Sequence, residues 1–428
     1  MPPPPEPPVP PPPPEPPVPP PPPGTPPPGW SPLPPLPPEL LTSGPPPEPP
    51  PPPRFWGYAD PERLHACLLG GAIGDALGAP VEGLALGQIR ARHGRDGVTG
   101  FVDERFGRGA VTDDTQLAMF TAQALVESFF RARDRGIGGA TMGMLQEAYL
   151  TWLTGQGERI PDQGIMGMYR IPWPHSAVMA RRGPGRTTIA ALHKAAARRR
   201  PGWPLGTTAE PINDSKGCAG VVRAAPCGFP PLRGAETAFN IGRDAAALTH
   251  GHPSGHLPAG VLAATVWVLL RGGDLPEALG IAREILERQG GHGETSAALD
   301  AAVELAERGG PPAPERVESL GAGWTGEEAL AIGVYAALVP MPAEDAEGVE
   351  NAAARRLLLA VNHSGDSDST GSICGNLVGA RYGAEALPAR WRADVEVADG
   401  VRMLADSCAD EFGPNPPKDA YGYPVRGR

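Results

Sequence analysis

The stretch GAVTDDTQLAMF, residues 109–120, sets a hydroxyl and two carboxylates at the head of an apolar run. Thr112 has the chemistry of a helix N-cap, because its side-chain oxygen can accept a free N–H of the first turn. Asp113 and Asp114 then fall in that turn, where the helix dipole favours each negative charge by about 0.3–1 kcal/mol. Leu117, Phe120 and Ala124 follow at helical spacing, which predicts a buried helix from Asp113 to about Arg131. Capping alone explains one such site.

The chain repeats the device 250 residues later. In GDSDSTG, Asp366 and Asp368 precede Ser369, and Ser369 to Tyr382 reads as a second small-residue helix. Helices this apolar bury their first turns, and buried carboxylates brought together repel and lose hydration. Neither motif contains a Lys or Arg to offset them. Oxygen-only donors select hard ions, Mg²⁺ or Mn²⁺ before Zn²⁺. Two divalent ions would balance Asp113, Asp114, Asp366 and Asp368, so a two-metal site is expected. A zinc alternative is the group His250, His252 and His256, but Gly and Pro interrupt it and its spacing matches no common zinc pattern.

Outward from these motifs the chain reads as helix after helix. The expected spans are Arg63–Gly78, Thr141–Leu153, Thr187–Arg199, Glu236–Leu248, Pro258–Leu270, Pro276–Arg288, Ser296–Arg308, Glu327–Leu338 and Ala352–Val361. Gly or Pro closely follows most of them, as at helix ends. No alternating strand stands out, so the expected fold is all-α, built of many short helices. Four Gly-rich or polar stretches interrupt it: residues 162–170, 213–220, 249–256 and 362–371. They are ligand loops or tight helix contacts.

More than half of the 59 prolines lie before Arg54, and PPPPEPPVP occurs twice in tandem there. Pro lacks an N–H and has a fixed φ, so residues 1–53 read as a disordered, polyproline-like arm. Residues 54–413 read as the globular part and 414–428 as a tail. The net charge of −11 argues against nucleic acid as the main ligand. The basic run KAAARRR, residues 194–200, suits the end of a helix. Five cysteines without a CxxC motif predict no disulfide framework. The longest apolar run, Leu257–Leu270, is too short to span a bilayer and contains Pro258. No membrane partner and a cytoplasmic location are expected.

Four motifs in order resemble the ADP-ribosylglycohydrolase family: GGAIGDALGAPVEG, AVTDDTQLAMF, NDSKGCAGVVRAAPCGF with ALTHGHP, and VNHSGDSDSTGSICGNLVGARYG. They cover about Ala66 to Gly383. The resemblance implies an orthogonal multi-helix bundle with two Mg²⁺ (or Mn²⁺) ions at the floor of a cleft. It maps the metal ligands onto Thr112, Asp113, Asp114, Asp366, Asp368 and Ser369, and the catalytic Glu onto Glu82. It puts the ADP-ribose cradle around Ser215 and Gly217 and a substrate-facing histidine at His250. Cys218 stands where many members carry another small or polar residue, which bears on substrate choice.

The implied reaction is hydrolysis of the glycosidic bond between ADP-ribose and a protein side chain or small molecule. Such cleavage builds oxocarbenium-like charge on the ribose. A carboxylate takes the proton of the attacking water or supports the leaving group. Glu82, Asp366 and Asp368 are all candidates. Backbone N–H groups at Gly217 and Gly251, and secondarily Gly164 and Gly167, suit the pyrophosphate. Two other readings use the same acids: a non-catalytic ADP-ribose-binding module, and a two-metal nucleotide phosphohydrolase.

Overall fold

In the computed structural model the structure describes residues 55, 57–161, 175–197, 204–341, 349–419 and 425. They all fall in the contact unit Pro52–Arg428. The expected arm (1–53), Gly164 and Gly167, and part of the expected tail lie outside the described residues.

Helices run through the whole of the described chain: α1 (Pro61–Gly78), α2 (Leu86–His93), α3 (Asp113–Arg135), α4 (Thr141–Gly155), α5 (His175–Val178), α6 (Arg186–Ala196), α7 (Ala235–Ala247) and α8 (Pro253–Leu269). The second half holds α9 (Leu275–Leu286), α10 (Gly293–Glu307), α11 (Pro314–Val317), α12 (Gly326–Leu338), α13 (Val349–Val361), α14 (Ser367–Tyr382), α15 (Ala389–Asp394) and α16 (Ala398–Phe412). Among the described residues there is no strand, only an isolated bridge between Gly217 and Thr325. The fold is all-α, as the sequence implies. Five free, buried cysteines agree with the expected absence of disulfides. No helix among the described residues is long and apolar enough to cross a membrane.

Most expected helices differ from the observed ones by a few residues at each end. The largest shift is in α8, which starts at Pro253 rather than Pro258. His252 caps it by accepting the Ser254 N–H on Nδ1 at 3.0 Å, and Pro253 takes the first helical position, where no N–H is needed. Pro258 therefore sits inside the helix and leaves the Ser254 carbonyl without its usual donor. Gly326 packs on that carbonyl; a Cβ there would lie 2.4 Å from the oxygen. Part of the stretch expected to be a loop, residues 249–256, is thus the first turn of a helix. Helices α2, α5, α11, α15 and α16 are absent from the expected spans. The signal for α16 is present, since Val401, Leu404, Ala405, Cys408 and Phe412 form its buried face.

The packing that positions the site is between α1 and α14. Along α1, Gly70, Gly74 and Gly78 recur every fourth residue; along α14, Gly371, Gly375 and Gly379 do the same. A Cβ on Gly74 would lie 1.9 Å from the Gly371 carbonyl oxygen, and one on Gly375 would lie 1.9 Å from that of Gly70. The two backbones touch, which only glycine permits. Gly70 meets Gly375, Gly74 meets Gly371 and Gly78 meets Ser367, so the helices run antiparallel. This sets the first turn of α14, with its acids, against the end of α1 and the turn carrying Glu82.

Candidate active site

Helix α3 is tied to this pair by Asp75, one turn before the end of α1. Its fully buried carboxylate accepts the Thr112 N–H at 3.0 and 3.1 Å and the Thr115 N–H at 3.1 Å, and takes the Thr115 hydroxyl as well. Burial pushes Asp75 up to about 6, while hydrogen bonds from Thr115 and Thr112 pull the other way. Asp75 lies outside the sequence motifs' candidate site residues. Its signal is there: a lone carboxylate in a run of Gly, Ala and Leu has to find donors.

The two acidic motifs meet. The Ser369 hydroxyl donates to Asp114 Oδ2 at 2.8 Å across 255 residues. Glu82, Asp366 and Asp368 each bring a carboxylate oxygen within 4.8 Å of the others. Asp113 accepts the Gly185 N–H at 3.3 Å. These acids and Ser369 line one cavity of about 310 Å³. Thr112 does not line it; its hydroxyl accepts the Asp114 N–H at 3.3 Å and caps the helix.

Burial is the main reason the acids titrate high. It pushes Asp113 up to about 8, with smaller contributions from Asp75 and Glu82. Asp114 and Asp368 are held well above the carboxylate range by burial and then by neighbouring carboxylates. Asp366 is raised in the same direction by burial, although Asp368 and Cys218 hydrogen bonds oppose it. Carboxylates so placed are short of cations.

Arg105 supplies one charge. It forms an ion pair with Glu82 and donates to the Ala79 carbonyl at 2.8 Å. Burial works against its charge, but Glu82, Asp368 and Asp75 together outweigh that. Arg105 is also the one non-glycine residue with positive φ (55°) among the described residues. Nothing in the sequence pattern marks it. One guanidinium does not balance five acids. The remaining donor set, all oxygen and largely buried, fits hard divalent ions, which Asp113, Asp114, Asp366, Asp368 and Ser369 could hold.

The other wall carries the residues expected to meet substrate. Gly217, Cys218 and His250 line the cavity; Ser215 and Gly251 do not. The Gly217 N–H goes to the Ser215 hydroxyl at 3.2 Å and the Gly251 N–H to Asn213 Oδ1 at 3.0 Å. Both amides expected to bind pyrophosphate therefore already have partners. Glycine is needed at 251 for packing, since a Cβ would lie 2.1 Å from the Asn213 carbonyl oxygen. Cys218 donates its thiol to Asp366 Oδ2 at 2.9 Å, and burial followed by the Asp366 and Asp114 charges holds it well above the normal thiol range. It is a protonated neighbour of the acids rather than a nucleophile. The three histidines do not cluster: His252 caps α8, and only His250 lines the cavity.

The cavity is also lined by residues that the sequence motifs do not mark, Thr188, Arg186 and Trp324 among them. Thr188 lines it with a buried hydroxyl that has no partner among the described residues, and Arg186 stands exposed beside it at the start of α6. Gly185, the cap of α6, provides no side-chain bond to the free amides of its first turn. Trp324 also lines the cavity, with 47% of its surface exposed. Its loop is fixed: Glu328 accepts the Ala322 and Gly323 N–H groups at 3.2 Å, and the Ala322 carbonyl accepts the Asp366 N–H at 2.8 Å.

A cleft of this geometry on this fold points to a family. The ADP-ribosylglycohydrolase family model matches residues 58–418. A solved structure described as an ADP-ribosylglycohydrolase-related protein complex superposes with a TM-score of 0.52 at 25% identity, covering 81% of this chain and 96% of that one. An uncharacterized protein of Archaeoglobus fulgidus is 39% identical over 72 residues, which span 16% of this chain and 23% of that protein. The chain belongs to the ADP-ribosylglycohydrolase family, and that membership supports a hydrolase of this superfamily.

Proposed function

We propose that the protein is a divalent-metal-dependent hydrolase that cleaves the glycosidic bond between ADP-ribose and an acceptor, a protein side chain or a small molecule. The observation that carries this is the 2.8 Å bond from Ser369 to Asp114, which joins two distant acidic motifs at one cavity of a family member. Asp113, Asp114, Asp366, Asp368 and Ser369 would hold two Mg²⁺ or Mn²⁺ ions, with Thr112 fixing the turn from which the first two project. Bound ions would grip the ribose hydroxyls and acidify a water.

The chain's own groups supply the rest. Glu82, at the cavity edge, is the preferred group to take the proton of the attacking water, with Asp366 and Asp368 engaged as ligands. Arg105 holds Glu82 in place by its ion pair. The diphosphate is best met at the start of α6, whose first-turn amides have no side-chain cap and whose Arg186 and Thr188 line the cavity. The amides of Gly217 and Gly251 are not free for it.

The test is a panel of ADP-ribosylated substrates of defined linkage, assayed with Mg²⁺ and with Mn²⁺. Release of free ADP-ribose that stops with chelator and returns with either ion is expected. Release of AMP or phosphate would assign a phosphohydrolase instead. Binding of ADP-ribose without turnover on any linkage would assign a reader module.

A further inference from the structure

Helix α7 ends beside the cavity, and the next residues carry a polar chain from the core to the site. Arg223 is fully buried (0% exposed), with its guanidinium 4.5 Å from the centroid of the Tyr149 ring. Its Nη2 donates to the Ala245 carbonyl at 3.2 Å and to the Thr249 hydroxyl at 2.6 Å. Thr249 Oγ1 in turn lies 2.8 Å from His250 Nδ1. We propose that Arg223 and Thr249 are positioning residues that lock His250 in the tautomer with its proton on Nε2, so that this N–H donates to a phosphate or sugar oxygen of the bound nucleotide.

A count of protons leads there. The Thr249 hydroxyl has one, and Arg223 can only donate, so it takes a lone pair of the oxygen. The proton can go to His250 Nδ1 or to the Ala246 carbonyl, 3.5 Å away. That carbonyl already accepts the Thr249 and His250 N–H groups at 3.1 and 2.9 Å. The proton therefore goes to Nδ1. A neutral imidazole that accepts on Nδ1 carries its hydrogen on Nε2. His250 is neutral, because burial, and then the charge of Arg223, lower it to about 3.

Nε2 faces the cavity at Gly217. A Cβ on residue 217 would come within 3.2 Å of Nε2, so glycine there leaves the nitrogen uncovered. His250 and Gly217 both line the acidic cavity. A neutral donor suits this place. Without that lock, the imidazole could present either a donor or an acceptor at Nε2 and would give the ligand no fixed polarity. The ligand class rests on the reading above; the tautomer does not.

Long-range ¹H–¹⁵N spectra of the ¹⁵N-histidine-labelled protein test it, with His250 assigned from H250Q. The expected result is the Nε2–H tautomer near neutral pH, retained in T249S and lost to a mixture in T249V. ADP-ribose, ADP and inorganic pyrophosphate are then added in turn. A shift of the Nε2 signal with all three assigns a phosphate oxygen; a shift with ADP-ribose alone assigns the terminal ribose. T249V should raise KM roughly tenfold with kcat little changed, the loss of about one hydrogen bond. H250Q, whose amide nitrogen can stand where Nε2 was, should recover more affinity than H250A. An Nδ1–H tautomer in the wild type overturns the proposal, and so does an Nε2 signal unmoved by ADP-ribose that demonstrably binds. Absence of ADP-ribose binding would instead overturn the functional reading and leave the tautomer result standing.

Discussion

Asp368 is the residue on which most converges. It is buried, it sits within 4.8 Å of Glu82 and Asp366, and burial with those neighbours holds its carboxyl far above the usual range. Replacing it with alanine removes a ligand and relieves repulsion at once, so folding and function should separate. D368A is expected to lose turnover by at least about 10³-fold, as removal of a group acting in the transition state does. It should also lose the rise in Tm on adding Mg²⁺ or Mn²⁺ while melting no lower than the chelated wild type. Full turnover in D368A on an ADP-ribosylated substrate would remove it from the site. Asp75 behaves otherwise. It does not line the acidic cavity but holds the Thr112 and Thr115 amides, so D75A leaves buried donors unpaired. A cost of about 1–3 kcal/mol in urea unfolding is expected, together with loss of activity. A variant as stable as the wild type would mean the turn has other support. The four acids of the motifs were legible in sequence because paired carboxylates at apolar helix starts need a cause. Arg105, Arg186 and Trp324 were not, because their placement depends on how loops return to the cleft.

At the scale of the element, the α1–α14 contact decides whether there is a site at all. The glycine spacing of both helices is present in the sequence, and small-residue packing follows from it. Which helix meets which, and in which direction, could not, since several other Ala- and Gly-rich helices share the composition. The antiparallel pairing follows from the carbonyl contacts of Gly70, Gly74 and Gly78. Gly74→Ala puts a methyl 1.9 Å from the Gly371 oxygen, a backbone atom that no rotamer change can move. The helices must part, at a cost of about 1–3 kcal/mol for overpacking. Because Glu82 and Asp368 sit at the end of that contact, G74A should lose activity beyond what its lower stability explains at a temperature where it is fully folded. Gly87, with nothing within 4 Å of an added Cβ, is the control; G87A should melt no lower than the wild type and turn over like it. Equal effects of the two substitutions would show that the close approach is not what sets the site.

At the scale of the whole molecule, the acids impose a pH dependence that bound ions should erase. A carboxyl held high in the folded state binds its proton more tightly there than in the unfolded chain. Its contribution to stability is complete below about pH 4 and fades as pH rises through the folded value. For Asp113 that value is about 8. Buried histidines act oppositely: His250 at about 3 and His256 at about 4 lower stability only below about pH 6.5, where the unfolded chain takes up their protons. Between about pH 6.5 and 8 the carboxylates therefore act without that opposition. Burial also raises Glu147, to about 7, with the same sign, but it lies outside the cavity and cancels when the same protein is compared with and without ions. In chelator, Tm is expected to fall as pH rises across this window. With Mg²⁺ or Mn²⁺ bound, the ionised acids are compensated and the fall should shrink, so that the ions stabilise more at pH 8 than at pH 6.5. Calorimetric scans at the two pH values, with chelator and with each ion, measure the difference directly. Equal slopes in all conditions would mean that the two acidic motifs, although joined through Ser369 and Asp114, share no cation.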